Sequence, residues 1–287
     1  MKSFSQTIDS QTQSRPPIPD YRQRRKSHER LIVQRYESTA RQDFNPTENT
    51  RYLNIGYWKE GARNLDEAAQ AMTKLVGEAG QFNTGDSILD VGCGFGDSAL
   101  FWVKQFDVHH IVGIDINPNE IEAARNRIEE RGLSDRIELR VGSAVEMSFE
   151  NDSFDKVVAL EAAHHFLTRE DFFREAYRVL RPGGRLVTAD VIPLSGRASG
   201  AFYNPLNAYT RDVYVEKLRD KGFTDVSAAS IRDYVFRPYS NFIRGRLRFP
   251  NVKGALNVAL HRFVSSRLDY LLVTADKPPS QPDDNLV

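Results

Sequence analysis

Six acidic or imidazole side chains stand where apolar runs end. They are Asp90 after Ile88-Leu89, Asp115 after Ile111 to Ile114, Glu161, His164 and His165 after Val157 to Leu160, and Asp190 after Leu186 to Ala189. Beside the first of them lies Gly92-Cys93-Gly94-Phe95-Gly96, a turn stripped of side chains on which a ligand can touch backbone. A helix starting near Asp97 would point free amide groups at that turn, and Asp90 offers a fixed negative charge beside it. Dinucleotide binding wants G-x-G-x-x-G, whose third glycine would fall on Asp97, where a carboxylate would face a pyrophosphate. Asp90, the glycine turn and Asp115 together suit a zwitterionic nucleoside better than a nucleotide. The histidines and Asp190 suit proton transfer: an imidazole titrates near neutrality, and a carboxylate beside it orients the ring and stabilises its cation.

Those groups converge only if their strands lie side by side. Apolar runs at Ser87 to Val91, His110 to Asp115, Ile137 to Val141, Phe154 to Leu160 and Arg185 to Val191 read as buried strands. Helical periodicity falls between them, at Asp97 to Gln105, after the Asn117-Pro118-Asn119-Glu120 start signal, and after Thr168 with Asp171 as a capping pair. The alternation predicts an α/β fold with a doubly wound, mostly parallel, Rossmann-like sheet and a ligand crevice at the carboxyl ends of its strands. Adjacent parallel strands then bring Asp190 next to His164 and His165. A helix at Thr210 to Lys221, a strand at Thr224 to Ile231 and a last strand at Asp269 to Ala275 complete seven strands. Leu65 to Gly80 reads as a further helix before the first strand.

The expected organisation is a disordered tail over 1–20, a helical cap over 21–80, a core over 81–277 with a lid insertion over 232–266, and a tail over 278–287. The cap opens with a basic run, Arg22 to Arg30, read as the solvated face of a short amphipathic helix. With 39 basic and 39 acidic residues, no whole-protein field draws the chain to nucleic acid or anionic membrane. No apolar run spans a bilayer and no export signal opens the chain. A single cysteine, Cys93, fits a reducing compartment, so a cytoplasmic location is expected, with oligomeric state left open. Cysteine and histidine spacing shows no metal site, and no metal is expected.

The segment SILDVGCGFGD, the acid closing the next strand and the V-L-R-P-G-G-R-L turn before the fifth resemble the class I S-adenosylmethionine (SAM) dependent methyltransferases, in their small-molecule O-methyltransferase branch. The resemblance covers Tyr52 to Asp190. It implies SAM as methyl donor and S-adenosylhomocysteine as product, with Asp90, Gly92 and Gly94 around the methionine part, Asp115 on the ribose hydroxyls, and Ile116, Ser143 and Ala144 around the adenine. An aspartate is usual in the family where Ser143 stands. Tyr57 and Trp58, in an N-x-G-Y-W segment, either shield the sulfonium or pack in the core. Glu161 is read as a wall beside SAM, an acceptor-side carboxylate being the alternative. The family pattern puts the base on His164 with Asp190 as partner and leaves His165 to line the SAM pocket, the swapped assignment being the alternative. The acceptor is expected to be a small molecule, and the arginines and aromatics of 232–266 are compatible with an acidic, lipophilic one. N-, C- and carboxyl-methylation and a nucleic-acid acceptor are the alternatives.

Overall fold

The computed structural model describes residues 20–40, 47, 49–59, 61–195, 205–246, 262–263 and 265–280. The expected tail over 1–20 lies outside them except for its last residue, as do 281–287 of the second tail and 247–261 of the insertion.

A long helix α1 (Tyr21–Ala40) precedes helix α2 (Leu65–Ala79), whose cap is the Asn64 side chain accepting from the Glu67 amide. The core then alternates β1 (Ser87–Val91), α3 (Asp97–Phe106), β2 (His110–Asp115), α4 (Pro118–Glu129), β3 (Ile137–Val141), β4 (Phe154–Leu160), α5 (Arg169–Val179) and β5 (Leu180–Pro193). It ends with α6 (Arg211–Arg219), β6 (Thr224–Ser230), α7 (Phe236–Arg246) and β7 (Leu268–Asp276). The seven strands order as β3-β2-β1-β4-β5-β7-β6, with β7 antiparallel to both neighbours and the other pairs parallel.

Side chains alternate across the sheet, so Ile88, Val158 and Val187 join one core with α2 and α3, while Leu89, Val157 and Leu186 join another with α5 and α6. Burial on both faces is why these strands read as continuous apolar runs. The start signals act as expected. Asn117 accepts from the Asn119 amide above Pro118, and Thr168 and Asp171 form a reciprocal capping box at α5. One difference is β5, which begins at Leu180 and runs through Pro182-Gly183-Gly184, because Phe154 already pairs with Leu180 before the register shifts. Among the described residues no helix is long and apolar enough to cross a membrane.

Chain order reverses between β1 and β4, and the crevice opens at their carboxyl ends.

Candidate active site

At the reversal the β1 turn and the β4 turn touch. Gly92 has φ +79°, and a Cβ there would stand 2.4 Å from the Cβ of Ala162, so only bare backbone lets the turns approach. Asp115 braces the loop from β2: its Oδ2 accepts from the Gly94 amide at 3.1 Å and its Oδ1 from the Asn117 amide at 2.9 Å. A cleft of about 820 Å³, counted with its open mouth, runs from there towards β3. Gly92, Asp115, Ile116, Ser143, Ala144 and Glu161 line it, together with His165. Gly94 lines a smaller adjoining cleft with Gly92, Leu53 and Asn54.

Asp90 lies buried near this floor without lining either cleft, and its Oδ2 has no hydrogen-bond partner among the described residues. Burial, reinforced by the Asp115 charge, pushes its carboxyl up to about 7. An unsatisfied buried carboxylate calls for a donor, and the ammonium of a methionine moiety is one. With a side-chain-free loop above it and a braced acid at β2, this donor set fits SAM. A cation beside Asp90 favours its ionised form, so binding releases a proton below pH 7. Affinity for S-adenosylhomocysteine is therefore expected to rise about tenfold between pH 6 and 8, and Asp90→Asn to flatten that rise. Calorimetry across that range checks it; a flat wild-type profile removes Asp90 from the site.

Asp97 is not available to repel a ligand. It pairs bidentately with Arg127 of α4 at 2.6 and 2.9 Å and accepts from the Arg51 amide at 3.2 Å.

Helix α1, at 20 residues longer than expected, covers the cleft with one face, while Arg22, Arg24, Lys26 and Arg30 form the exposed basic face that the sequence predicted. His28, Glu29, Ile32, Val33 and Tyr36 all line the cleft. Their spacing of three and four residues makes one helical stripe, a signal the sequence carried beside the arginines. His28 Nε2 donates to the His165 carbonyl at 2.7 Å, Tyr36 shares a 2.8 Å hydrogen bond with His165 Nε2, and Ser143 Oγ donates to Glu29 at 2.6 Å. Arg25 pairs with Glu146.

Tyr57 and Trp58 do not line either cleft, so the sulfonium-shielding reading is replaced by packing. Tyr57 meets Tyr234 edge-on at 5.6 Å and Trp58 meets Phe242 at 5.1 Å, which clamps the 52–58 loop beneath the described part of the 232–266 insertion. There Phe236 and Tyr239 are buried, while Arg237, Arg244 and Arg246 are exposed. Glu161, at φ +52°, takes the Ile55 amide at 2.9 Å and the Tyr270 hydroxyl at 2.7 Å, fixing the same loop as a cleft wall. Burial pushes its carboxyl up to about 7.

His164 and His165 occupy a short 3₁₀ turn, Ala163–His165, past β4. His164 Nδ1 lies 3.1 Å from Asp190 Oδ1, as expected from the neighbouring strand ends. Asp190 is wholly buried, and its Oδ2 accepts from Arg169 Nε at 2.7 Å. Burial alone would raise its carboxyl, but Arg169 and the His164 hydrogen bond hold it well below the usual carboxylate range. His165 is the other way round: burial, aided by His164, pushes its imidazole well below the usual range and keeps it neutral. Sequence reasoning missed Arg169, which is fully buried, and Asn207. The Asn207 side chain accepts from the Arg169 amide at 2.8 Å and donates to the Phe166 carbonyl at 2.7 Å, and its own carbonyl takes the guanidinium. No local pattern marks either residue. Among the described residues no group of three or more His, Cys, Asp or Glu could hold a metal ion.

A family profile described as a methyltransferase domain matches residues 89–188. Erythromycin 3''-O-methyltransferase of Saccharopolyspora erythraea is 32% identical over 265 residues, covering 82% of this chain and 87% of that protein. The 27-O-demethylrifamycin SV methyltransferase of Amycolatopsis mediterranei is 30% identical over 79% of this chain and 90% of its own length. Among solved structures, the [4+2]-cyclase SpnF superposes with a TM-score of 0.69 at 25% identity, over 93% of this chain and all (100%) of that one. The geranyl diphosphate C-methyltransferase of Streptomyces coelicolor, solved with S-adenosylhomocysteine, gives 0.69 at 18% identity over 87% of this chain and 98% of its own, a likeness of fold.

Proposed function

Since the chain belongs to the SAM-dependent methyltransferases, we propose that it methylates a hydroxyl oxygen of a small natural product, of the macrocyclic or glycosylated kind that its O-methyltransferase relatives are named for. The His164–Asp190 pair carries this reading, because a hydroxyl is the acceptor that must lose a proton as it attacks.

When bound, SAM supplies a methyl group on a sulfonium, already activated for in-line displacement. Gly92, Gly94 and Asp115 hold its nucleoside and amino-acid parts, and α1 and the 52–58 loop exclude water. Holding donor and acceptor in register provides most of the acceleration, roughly 7 to 11 kcal/mol. With Nδ1–H committed to Asp190, His164 presents Nε2 as the proton acceptor towards the substrate hydroxyl. Ionised Asp190 stabilises the imidazolium that forms. His165 Nε2 is engaged by Tyr36, and burial makes its imidazole a weaker proton acceptor, which supports His164 as the base.

The test is transfer of labelled methyl from SAM to a panel of hydroxylated macrolides and their glycosides, with the labelled position located by NMR. Methyl ether formation is expected. Label found on carbon or nitrogen, with His164→Ala still active, would replace the hydroxyl acceptor by another nucleophile. A cyclase among the solved structures that superpose on this chain favours a second reading, in which the substrate is rearranged without methyl transfer. Unconsumed SAM alongside a rearranged substrate would establish it.

A further inference from the structure

The order of the strands lays out the order of the ligand. The glycine turn follows β1, the braced acid Asp115 closes β2, and the cleft continues to the end of β3, so a nucleoside gripped at β2 places its base against β3. Ile116, Ala144 and Val33 of α1 are among the residues that line the cleft, apolar surface on which a purine ring can lie. Adenine also carries an amino group that needs an acceptor. At β3 the residue on the strand side is Ser143, whose hydroxyl proton is already given to Glu29 Oε1 at 2.6 Å while its oxygen takes the Val145 amide at 3.4 Å. Glu29 lines the cleft, and among the described residues this is its single hydrogen bond, so Oε2 is left to accept from a ligand.

We infer that Glu29, on the covering helix, reads the adenine amino group, with Ser143 as the residue that orients its carboxylate. This rests on SAM occupying the cleft. A hydrogen bond to a carboxylate is among the stronger kinds, so it discriminates between purines with and without the amino donor. It also makes base recognition depend on α1 being seated, since the strand side alone supplies no carboxylate there.

The probes are S-adenosylhomocysteine and its 6-deamino analogue, which keeps the purine ring and loses only the amino group. In calorimetric titrations the wild-type protein is expected to bind the analogue about tenfold or more weakly. Glu29→Ala should bring the two ligands within about threefold, and Glu29→Ala with Ser143→Asp should restore the preference from the strand side. Alanine suits a helix interior, and the melting temperature of the variant reports whether α1 stays seated. Equal binding of both ligands by the wild type, preference retained in Glu29→Ala, or no restoration in the double variant would each overturn the assignment while leaving the SAM site intact. Failure of the wild type to bind S-adenosylhomocysteine at all would instead remove the site on which it rests.

Discussion

Replacing His164 by alanine is expected to lower kcat by about 10²- to 10⁴-fold while leaving the affinity for S-adenosylhomocysteine within about threefold of wild type. The separation follows from the geometry, since His164 reaches over β5 to Asp190 and is absent from the residues that line the donor cleft. The activity that remains reflects alignment of donor and acceptor, which the substitution does not touch. His165→Ala should show the opposite split, a weaker hold on the donor with a smaller change in kcat, because His165 lines the cleft and anchors α1 through His28 and Tyr36. A loss under tenfold in His164→Ala at saturating substrate would remove His164 as the general base.

Arg169→Met is expected to destabilise the fold by about 3–5 kcal/mol, the range for removing one partner of a buried ion pair. Both Arg169 and Asp190 are fully buried, and the guanidinium also bonds the carbonyls of Asn207 and Val191 and lies over the rings of Tyr209 and Tyr214. The pH dependence gives a signature that simple loss of packing would not. In the wild type the folded Asp190 carboxyl is depressed below its unfolded value, so its contribution is present above about pH 4 and is lost as pH falls through the folded value. Without Arg169 the largest effect holding the carboxyl down is gone, and burial pushes the folded carboxyl upward against the His164 hydrogen bond. The variant should then gain stability relative to wild type as pH falls from 7 towards 5. Urea denaturation at both values measures it, and a constant difference would mean that Arg169 acts by volume alone.

Most of the donor cleft was legible because its parts are local. Glycines at alternate positions after an apolar run, an acid closing the next run and a helix start directly behind it are each set by residues within one turn of chain, and the fold places them where the crevice rule requires. The His164–Asp190 pair was legible for a related reason: strand adjacency in a parallel sheet converts two strand ends into neighbours. Tyr57 and Trp58 were ambiguous because an aromatic serves a ligand or a core equally well. Only the partner elements, Tyr234 and Phe242 in the insertion, decided for packing.

What tertiary structure alone decided are contacts between residues far apart in the chain. Glu29 and Ser143 are 114 positions apart, Tyr36 and His165 129. Their hydrogen bonds exist only once α1 has folded back over strands that local periodicity does not connect to it. Arg169 looks like any polar residue at the start of an amphipathic helix, and its burial depends on Asp190 and Asn207 arriving from separate elements. Apolar spacing and turn chemistry act over a few residues and are written in the chain. The closing of a charged side chain inside the protein is written in the sum of its distant neighbours, which the sequence specifies without displaying.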